Sequence, residues 1–452
     1  MDRIRLIFAV IAAKLILLFC RITGSRGSAT PGKYARALCP QVIALLAAKV
    51  KKGIIVVCGT NGKTTTNNLI NAALVQAGYK TVCNNAGANM LNGIAAAFCK
   101  GAGLFGTMRA DYACIEADEA NLPLLFAQAK PDIIVVTNLF RDQLDRYGEI
   151  DLTAQLLKKA FDMAPDAKLI LNADDPVTSV FGDGRSALYY GVKNDPHMRA
   201  VEEIRDGSNC QKCGAPLDYT YYLYGQIGQY QCPKCGYKNP QAAYDADHIR
   251  IENGILHFDV CKGGLVSHAE SEVTGLYNVY NMLMAYAALD VLGLDSKSIL
   301  SVLCAQKPEP GRMSRFDIGE KTVYLLLSKN PTGFNQSVTT VINDTREKDI
   351  LLILNDNPQD GEDISWIWDV DFETLRSAGA GCYTLTGTRR YDMYLRLKYA
   401  GYDTSRITVC DTTEAALEHM LDSGRGLCYA LVNYTAMYPA YVALNKLAKE
   451  GR

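Results

Sequence analysis

Residues 53–66 constrain this chain more than any other stretch. Gly53–Cys58 reads GIIVVC, an unbroken apolar run, and Gly59-Thr60-Asn61-Gly62-Lys63-Thr64-Thr65-Thr66 follows it directly. A short apolar run of this kind is what a buried parallel strand needs. Glycines at 59 and 62 let backbone amides come close to an anion, and residues 65–77 carry a helical pattern beyond them. Strand, glycine loop and helix in that order describe a phosphate cradle. Lys63 offers a point charge to terminal phosphates, and the Thr64 hydroxyl offers a ligand for Mg²⁺. The general GxxxxGK[ST] form is not met, because position 57 is valine. ATP is therefore the expected ligand of Gly59, Thr60, Asn61, Gly62, Lys63, Thr64 and Thr65.

The rest of the chain extends the same pattern. Apolar runs at Tyr112–Glu116, 132–137 and Lys168–Asn172 alternate with helical stretches such as 152–163. That alternation predicts a mostly parallel sheet covered by helices on both faces. Ligands of such sheets sit at the carboxyl ends of strands, so Glu116 is a candidate Mg²⁺ ligand or water-orienting carboxylate. The string Glu116-Ala117-Asp118-Glu119 is otherwise the composition of a solvated turn. Pro308-Glu309-Pro310-Gly311 marks a boundary, after which strands are expected at 322–327, 349–354, 381–385 and Leu427–Val432. The predicted organisation is an N-terminal helix and connector over 1–50, an ATP-binding central domain over 51–310, and a smaller α/β domain over 311–452. A length of 452 residues with 48% hydrophobic content fits more than one core.

Cys210-Gln211-Lys212-Cys213 and Cys232-Pro233-Lys234-Cys235 interrupt the central domain within an insert at 205–240. Two C-x₂-C pairs, each followed by glycine, can place four thiolates around one Zn²⁺ in a closed, structural ribbon. Redox or iron–sulfur chemistry is the competing use of such cysteines. The remaining cysteines are scattered and read as free thiols of a reducing compartment. Tyr219, Tyr221, Tyr222, Tyr224 and Tyr230 suit a small β-rich knuckle, and aromatic faces can also stack on nucleic acid bases. With 47 basic and 48 acidic residues the chain has no global basic field, which weighs against nucleic acid as the main partner.

Residues 4–22 read IRLIFAVIAAKLILLFCRI. Lys14 near the centre argues against a spanning helix. Arg3, Lys14 and Arg21 fall within about 20° of one another on a helical wheel. One expectation is a helix lying in a membrane interface, so a cytoplasmic protein at the inner face of the membrane. The other is a helix whose apolar face packs on the protein's own body.

Read together, the motifs resemble the Mur ligase family, whose members form an acyl-phosphate from a carboxylate and ATP and then let an amine attack it. GTNGKTT at 59–65 is that family's form of the loop. Thr137-Asn138-Leu139-Phe140-Arg141-Asp142-Gln143-Leu144-Asp145-Arg146-Tyr147-Gly148 is similar to its TN-x-x-x-DHLD-x-x-G stretch, with Gln143 in place of the usual histidine. Gly275-Leu276-Tyr277-Asn278-Val279-Tyr280-Asn281 is similar to its G-x-HN-x-x-N helix start, and Pro310-Gly311-Arg312-Met313 to its GR turn. The resemblance implies nucleotide contacts from Asn138, Asn278, Asn281 and Arg312. It implies an α/β fold with a central P-loop-type ATPase domain and parallel sheet, the inserted four-cysteine zinc ribbon, and a smaller Rossmann-like α/β C-terminal domain.

Three departures narrow the match: a short N-terminal region in place of a UDP-sugar domain, the cysteine insert, and Ser328-Lys329-Asn330-Pro331-Thr332-Gly333 where DYAHNP-like residues are common. Together with Asp360-Gly361-Glu362-Asp363-Ile364-Ser365-Trp366-Ile367-Trp368-Asp369 they resemble the MurT-type branch of the family. That resemblance implies an ATP-dependent carbon–nitrogen ligase subunit amidating the D-glutamate α-carboxylate of the lipid II stem peptide in peptidoglycan synthesis. It implies ammonia from a GatD-type glutamine amidotransferase partner. It also implies that an aspartate of this chain, Asp360 first, then Asp363 and Asp356, completes the partner's Cys-His triad. No Gly-x-Cys-x-Gly elbow occurs in the chain itself. The alternatives are a ligase that adds an amino acid, as folylpolyglutamate synthases do, and a zinc-ribbon protein using ATP as a conformational switch.

Overall fold

The computed structural model describes residues 2–23, 27–85, 87–141, 150–193, 207–252, 255–273, 275–306, 312–422 and 425–450. They form two compact units. The first is built from residues up to 139, 150–193 and 207–306, and the second from 312–450 together with Phe140 and Arg141.

The first unit carries a nine-stranded sheet. Its strands are β1 (Gly53–Cys58), β2 (Thr81–Cys83), β3 (Tyr112–Glu116), β4 (Ile133–Val136), β5 (Lys168–Asn172) and β6 (Ala187–Val192), then β9 (Tyr244–Glu252), β10 (Ile255–Lys262) and β11 (Leu265–Ser271). A separate hairpin, β7 (Asp218–Tyr224) and β8 (Ile227–Gln231), belongs to the cysteine insert. The sheet order is β11-β10-β9-β6-β5-β4-β1-β3-β2, parallel from β2 to β9 and antiparallel across β9, β10 and β11. The parallel part follows the sequence pattern: β1 and β4 are apolar throughout and buried on both faces. The antiparallel meander is not among the sequence expectations. Its cue is nonetheless there, since Leu256, Phe258 and Val260 alternate with His257, Asp259 and Cys261, and only the first set is fully buried.

Helices Lys63–Gln76 and Leu276–Val291 pack against each other and on this sheet. The N-terminal helix Asp2–Ile22 buries Leu6, Ala9, Val10 and Ala13 in the same core as β1 and the helix Leu91–Gly101. Its opposite side exposes Ile4, Phe8, Leu15, Leu18, Phe19 and Ile22, each by 54–76%. The helix therefore packs on the protein's own body, as one of the two expectations has it, and still presents a second apolar face. Among the described residues no helix is long and apolar enough to cross a membrane.

The second unit has a six-stranded sheet of β12 (Arg312–Ile318), β13 (Lys321–Leu327), β14 (Asp349–Ile353), β15 (Tyr383–Thr386), β16 (Ile407–Val409) and β17 (Leu427–Val432). Its order is β12-β13-β17-β14-β15-β16, parallel except for the β12–β13 hairpin. Helices cover both faces, and separate apolar clusters lie on the two sides of the sheet.

Candidate active site

The strand register assembles the site. β1 lies between β3 and β4, with Val57 opposite Glu116 and Cys58 opposite Val136. The loop leaving β1 is therefore flanked by Glu116 on one side and by Thr137 and Asn138 on the other. The helix Lys63–Gln76 begins directly after it.

The backbone of residues 59–62 is fixed by neighbours rather than by the loop alone. Thr60 N donates to Asn138 O at 2.7 Å, and Asn61 N donates to Asn138 Oδ1 at 2.9 Å. Asn138 Nδ2 donates back to Asn61 O at 3.2 Å. Gly59 (φ +113°) and Gly62 (φ +88°) occupy backbone regions that L side chains rarely enter. A Cβ on Gly59 would stand 2.3 Å from Thr137 Oγ1, and one on Gly62 would stand 2.2 Å from Asn281 Oδ1. Asn281 Nδ2 in turn donates to Asn278 Oδ1 at 3.2 Å. The sequence-selected Asn138 and Asn281 thus meet the same loop from two separate elements, with Asn138 bracing its backbone and Asn278 holding Asn281.

Lys63 is buried, 8% exposed, at the first turn of its helix. Its Nζ donates to Gly59 O, to Thr60 O at 3.4 Å and to Glu119 Oε1 at 3.1 Å. Glu119 Oε1 also accepts from Gly59 N at 2.7 Å. Burial raises the Glu119 pKa and the Lys63 ammonium opposes that rise. Glu119 is the residue that sequence reasoning misses. Its only signal is its place three residues beyond the end of β3, in a string with the composition of a turn.

Glu116 is 2% exposed. Its Oε1 accepts from Asn89 Nδ2 at 3.2 Å, while the buried Oε2 has no hydrogen-bond partner among the described residues. The backbone at Glu116 is clamped by Asn84, whose Oδ1 accepts from Glu116 N at 2.9 Å and whose Nδ2 donates to Glu116 O at 2.7 Å. A buried carboxylate oxygen without a donor fits a hard cation, the chemistry expected of Mg²⁺. Thr64 lies on the same loop–helix junction. Arg312 opens β12, but its side chain lies outside the described residues, as do residues 142–149 with Gln143 and Pro308 to Gly311.

The four paired cysteines meet. Cys210 Sγ lies 3.5 Å from Cys235 Sγ, Cys213 Sγ lies 3.5 Å from Cys232 Sγ, and all four sulfurs are within 4.8 Å of one another. Tetrahedral Zn–S bonds of ~2.3 Å require sulfurs ~3.8 Å apart, so the set fits one ion. Each pair sits in a matching turn: Gly214 N donates to Cys210 O and Gly236 N to Cys232 O. The Cys235 and Lys234 amides lower the Cys232 pKa to about 6, as a thiolate ligand needs. The tyrosines of the insert serve packing. Tyr219 stacks on Tyr222 at 4.3 Å, and the buried Tyr230 and Tyr237 hydroxyls meet Ser179 Oγ at 2.7 and 2.5 Å.

The insert docks on the ATP-site unit through two buried aspartates. Asp175 Oδ2 accepts from Leu139 N at 3.1 Å, and Gln226 Nε2 of the insert donates to Leu139 O at 2.5 Å, adjoining Asn138. Asp174 Oδ2 accepts from Tyr280 OH at 2.7 Å and Val192 N at 2.8 Å, and its Oδ1 accepts from Asn239 Nδ2 at 3.2 Å. Burial raises Asp174 to about 7 and Asp175 to about 6 despite these donors. Both exceed the unfolded value of ~3.9, so the native state binds more protons than the unfolded one between about pH 4 and 7. Their contribution to stability is full below about pH 4 and is lost as pH rises through about 7. Asp174→Asn is expected to flatten the decline of the thermal midpoint over that window; an unchanged slope would place the proton uptake elsewhere.

In the second unit, Asp360 is buried: Thr435 N donates to its Oδ1 at 2.8 Å, and the Thr435 hydroxyl donates to its Oδ2. Asp356 is paired with Arg389 Nε at 2.7 Å and Thr388 Oγ1 at 2.7 Å. Asp363 is exposed and its Oδ1 accepts from Ser365 N at 2.8 Å.

Comparison with known proteins settles the family. Residues 57–226 match the family model for the Mur ligase middle domain, and residues 327–437 match the MurT ligase C-terminal model. The chain is 35% identical, over 98% of its length and 99% of the relative's, to the lipid II isoglutaminyl synthase (glutamine-hydrolyzing) subunit MurT of Staphylococcus aureus strain N315. The chain belongs to the MurT family. The MurT subunit of Streptococcus pneumoniae strain R6 is 33% identical over 91% of both chains. This MurT-family chain also shares its fold with more distant Mur ligases. A pseudomurein peptide ligase type C from Methanothermus fervidus superposes with a TM-score of 0.70 at 22% identity, covering 89% of this chain and 80% of that one. MurF from Acinetobacter baumannii gives 0.66 at 15% identity, covering 92% and 80%.

Proposed function

We propose that this MurT-family chain is the synthetase subunit of an enzyme that amidates the D-glutamate α-carboxylate of the lipid II stem peptide. The observation that carries the reading is the convergence of Lys63, Glu116, Asn138 and Asn281 on one loop in a chain matched over 98% of its length by a lipid II isoglutaminyl synthase subunit. ATP binds with its terminal phosphates against the Lys63 ammonium and the N-terminus of the helix Lys63–Gln76. Thr64 and Glu116 Oε2 would hold Mg²⁺, which shields the phosphate charge. A carboxylate oxygen of the substrate attacks the γ-phosphorus and ADP leaves. Ammonia then attacks the acyl carbon, and phosphate departs with that carboxylate oxygen. The chain's part is positioning and charge stabilisation. Cys210, Cys213, Cys232 and Cys235 would hold a structural Zn²⁺ with no open position for substrate. The deciding experiment supplies lipid II, Mg²⁺ and ATP with either ammonium or amino acids. Ammonium alone should support ADP release; release driven by an amino acid instead would assign a chain-extending ligase.

Ammonia is supplied by a GatD-type glutaminase partner. A carboxylate has about four acceptor sites, and Thr435 takes two on Asp360, leaving the others on an oriented group for a histidine. Asp360→Asn is expected to abolish glutaminase turnover in the complex, while Asp363→Asn keeps it. Full turnover by Asp360→Asn would remove Asp360 from the triad.

The chain works at the membrane surface through its first helix. At 100° per residue, Ile4, Phe8, Leu15, Leu18, Phe19 and Ile22 span about 100° of its outer face, with Arg3, Lys14 and Arg21 on one flank and Arg5 on the other. An apolar strip between cations is what an anionic bilayer surface binds. Phe8→Glu with Phe19→Glu should release the chain from anionic vesicles in flotation; unchanged flotation would refute this contact.

A further inference from the structure

Three of the chain's five histidines gather on the outer face of the β9–β11 meander, and none of them belongs to a motif used above. Register sets them there. His257 of β10 pairs opposite Glu270 of β11, and Asp259 opposite His268. The inner face of the same strands holds buried Leu256, Phe258, Val260 and Ala269, so the polar set has no core role.

The geometry is that of ligands rather than of ion pairs. His257 Nδ1 and His268 Nε2 each lie 3.4 Å from the same atom, Glu270 Oε1. His257 Nδ1 is buried and has no hydrogen-bond partner among the described residues. His268 Nδ1 meets Asp259 Oδ1 at 2.9 Å, which fixes the proton on that nitrogen and turns the Nε2 lone pair toward Glu270. In the tautomer that carries the His257 proton on Nε2, three acceptor atoms face one another, and a cation between them makes that favourable. Bonds of ~2.0–2.1 Å to a tetrahedral ion place ligand atoms ~3.3–3.4 Å apart, the separation found between Glu270 Oε1 and each histidine nitrogen. The carboxylate behind His268 is the usual support of a metal-bound imidazole. A β-bulge strengthens it: the register slips between His257 and Asp259, and His248 opposite them takes φ +52° and brings its Nδ1 3.1 Å from Asp259 Oδ2. Bulges re-aim side chains in this way beside functional sites.

We propose that His257 Nδ1, His268 Nε2 and Glu270 Oε1 bind a divalent transition-metal ion, zinc foremost, on the outer face of the β10–β11 hairpin. Asp259 is its positioning residue. The ion clasps the two strands at the sheet's edge and keeps a fourth position open. Two imidazoles and one carboxylate favour zinc, cobalt or nickel over magnesium or calcium. This site is separate from the four-cysteine cluster and does not depend on the ligase reading.

The test uses the full chain without a polyhistidine tag, loaded with one equivalent of zinc and then titrated with Co²⁺ at about pH 7.5, since metal affinity rises as ligands lose their protons. One further saturable equivalent should bind, with visible d–d absorption and no thiolate-to-cobalt band. His257→Asn with His268→Gln should remove that equivalent and leave thermal unfolding of the metal-free protein unchanged. Asp259→Asn should keep the stoichiometry and weaken affinity by about 10–100-fold. Absence of saturable Co²⁺ binding, or binding unaltered in the double histidine variant, would overturn the proposal and leave protons as the only cations between these groups.

Discussion

Lys63→Met is expected to lower ammonia-dependent ADP formation by at least about 100–1000-fold, the scale of losing one pre-aimed charge from a dry site. The effect has two parts that separate experimentally. Lys63 Nζ lies 3.1 Å from Glu119 Oε1 and both side chains are buried. Removing the cation strands a buried carboxylate, a change that costs about 3–5 kcal/mol when such a pair is broken. Burial already pushes Glu119 upward, and without the ammonium that push is unopposed. Lys63→Met combined with Glu119→Gln removes both charges and should recover most of the stability. It should recover none of the activity, because the phosphates still lack their ammonium. Activity returning with stability would mean that Lys63 acts only on the fold.

The second large effect is expected from Cys232→Ser, or from chelation of the Zn²⁺ proposed at the four cysteines. The insert's own apolar cluster comprises Cys210, Leu217, Tyr230, Cys232 and Tyr237, too little to hold a fold without the metal. Structural zinc supplies on the order of 10 kcal/mol in small peptides of this kind. Loss of the ribbon frees Gln226 from Leu139 and Asn239 from Asp174. Each kcal/mol of lost docking moves the midpoint of a domain of this size by roughly 2–4 °C. Leu139 adjoins Asn138, which braces the loop at Thr60 and Asn61. Displacement there should weaken catalysis by about ten- to a hundredfold, since small misplacements of a reacting group are costly. Unaltered ligase activity in zinc-free protein would uncouple the ribbon from the ATP site.

The parts of this molecule written in local chemistry are legible from sequence. An apolar run, two glycines and Lys63-Thr64 define the loop because each residue type has few other uses in that order. The cysteine pairs are equally readable, since thiolates at that spacing turn back on one ion. What escapes depends on pairing across the chain. Glu119 is ordinary in its own string and acquires meaning only when β3 folds beside β1 and sets its carboxylate against Lys63. Asp174 and Asp175 look like a loop pair, yet Asp174 joins the insert to the helix carrying Asn278 and Asn281, and Asp175 joins it to Leu139. The β9–β11 meander is hard to see because its polar face, with His257, Asp259 and His268, dilutes the apolar alternation. The first helix carries two apolar faces, and no single-face reading of its periodicity can describe it.

Transfer of one oxygen tests the central claim most directly. Lipid II labelled with ¹⁸O in the D-glutamate α-carboxylate is incubated with the chain and its partner, Mg²⁺, ATP and ammonium. Activation through an acyl-phosphate predicts that each phosphate released carries one ¹⁸O atom, matched by one amide formed. Amide formation with unlabelled phosphate would show that the carboxylate never bonded to phosphorus, and would contradict the mechanism.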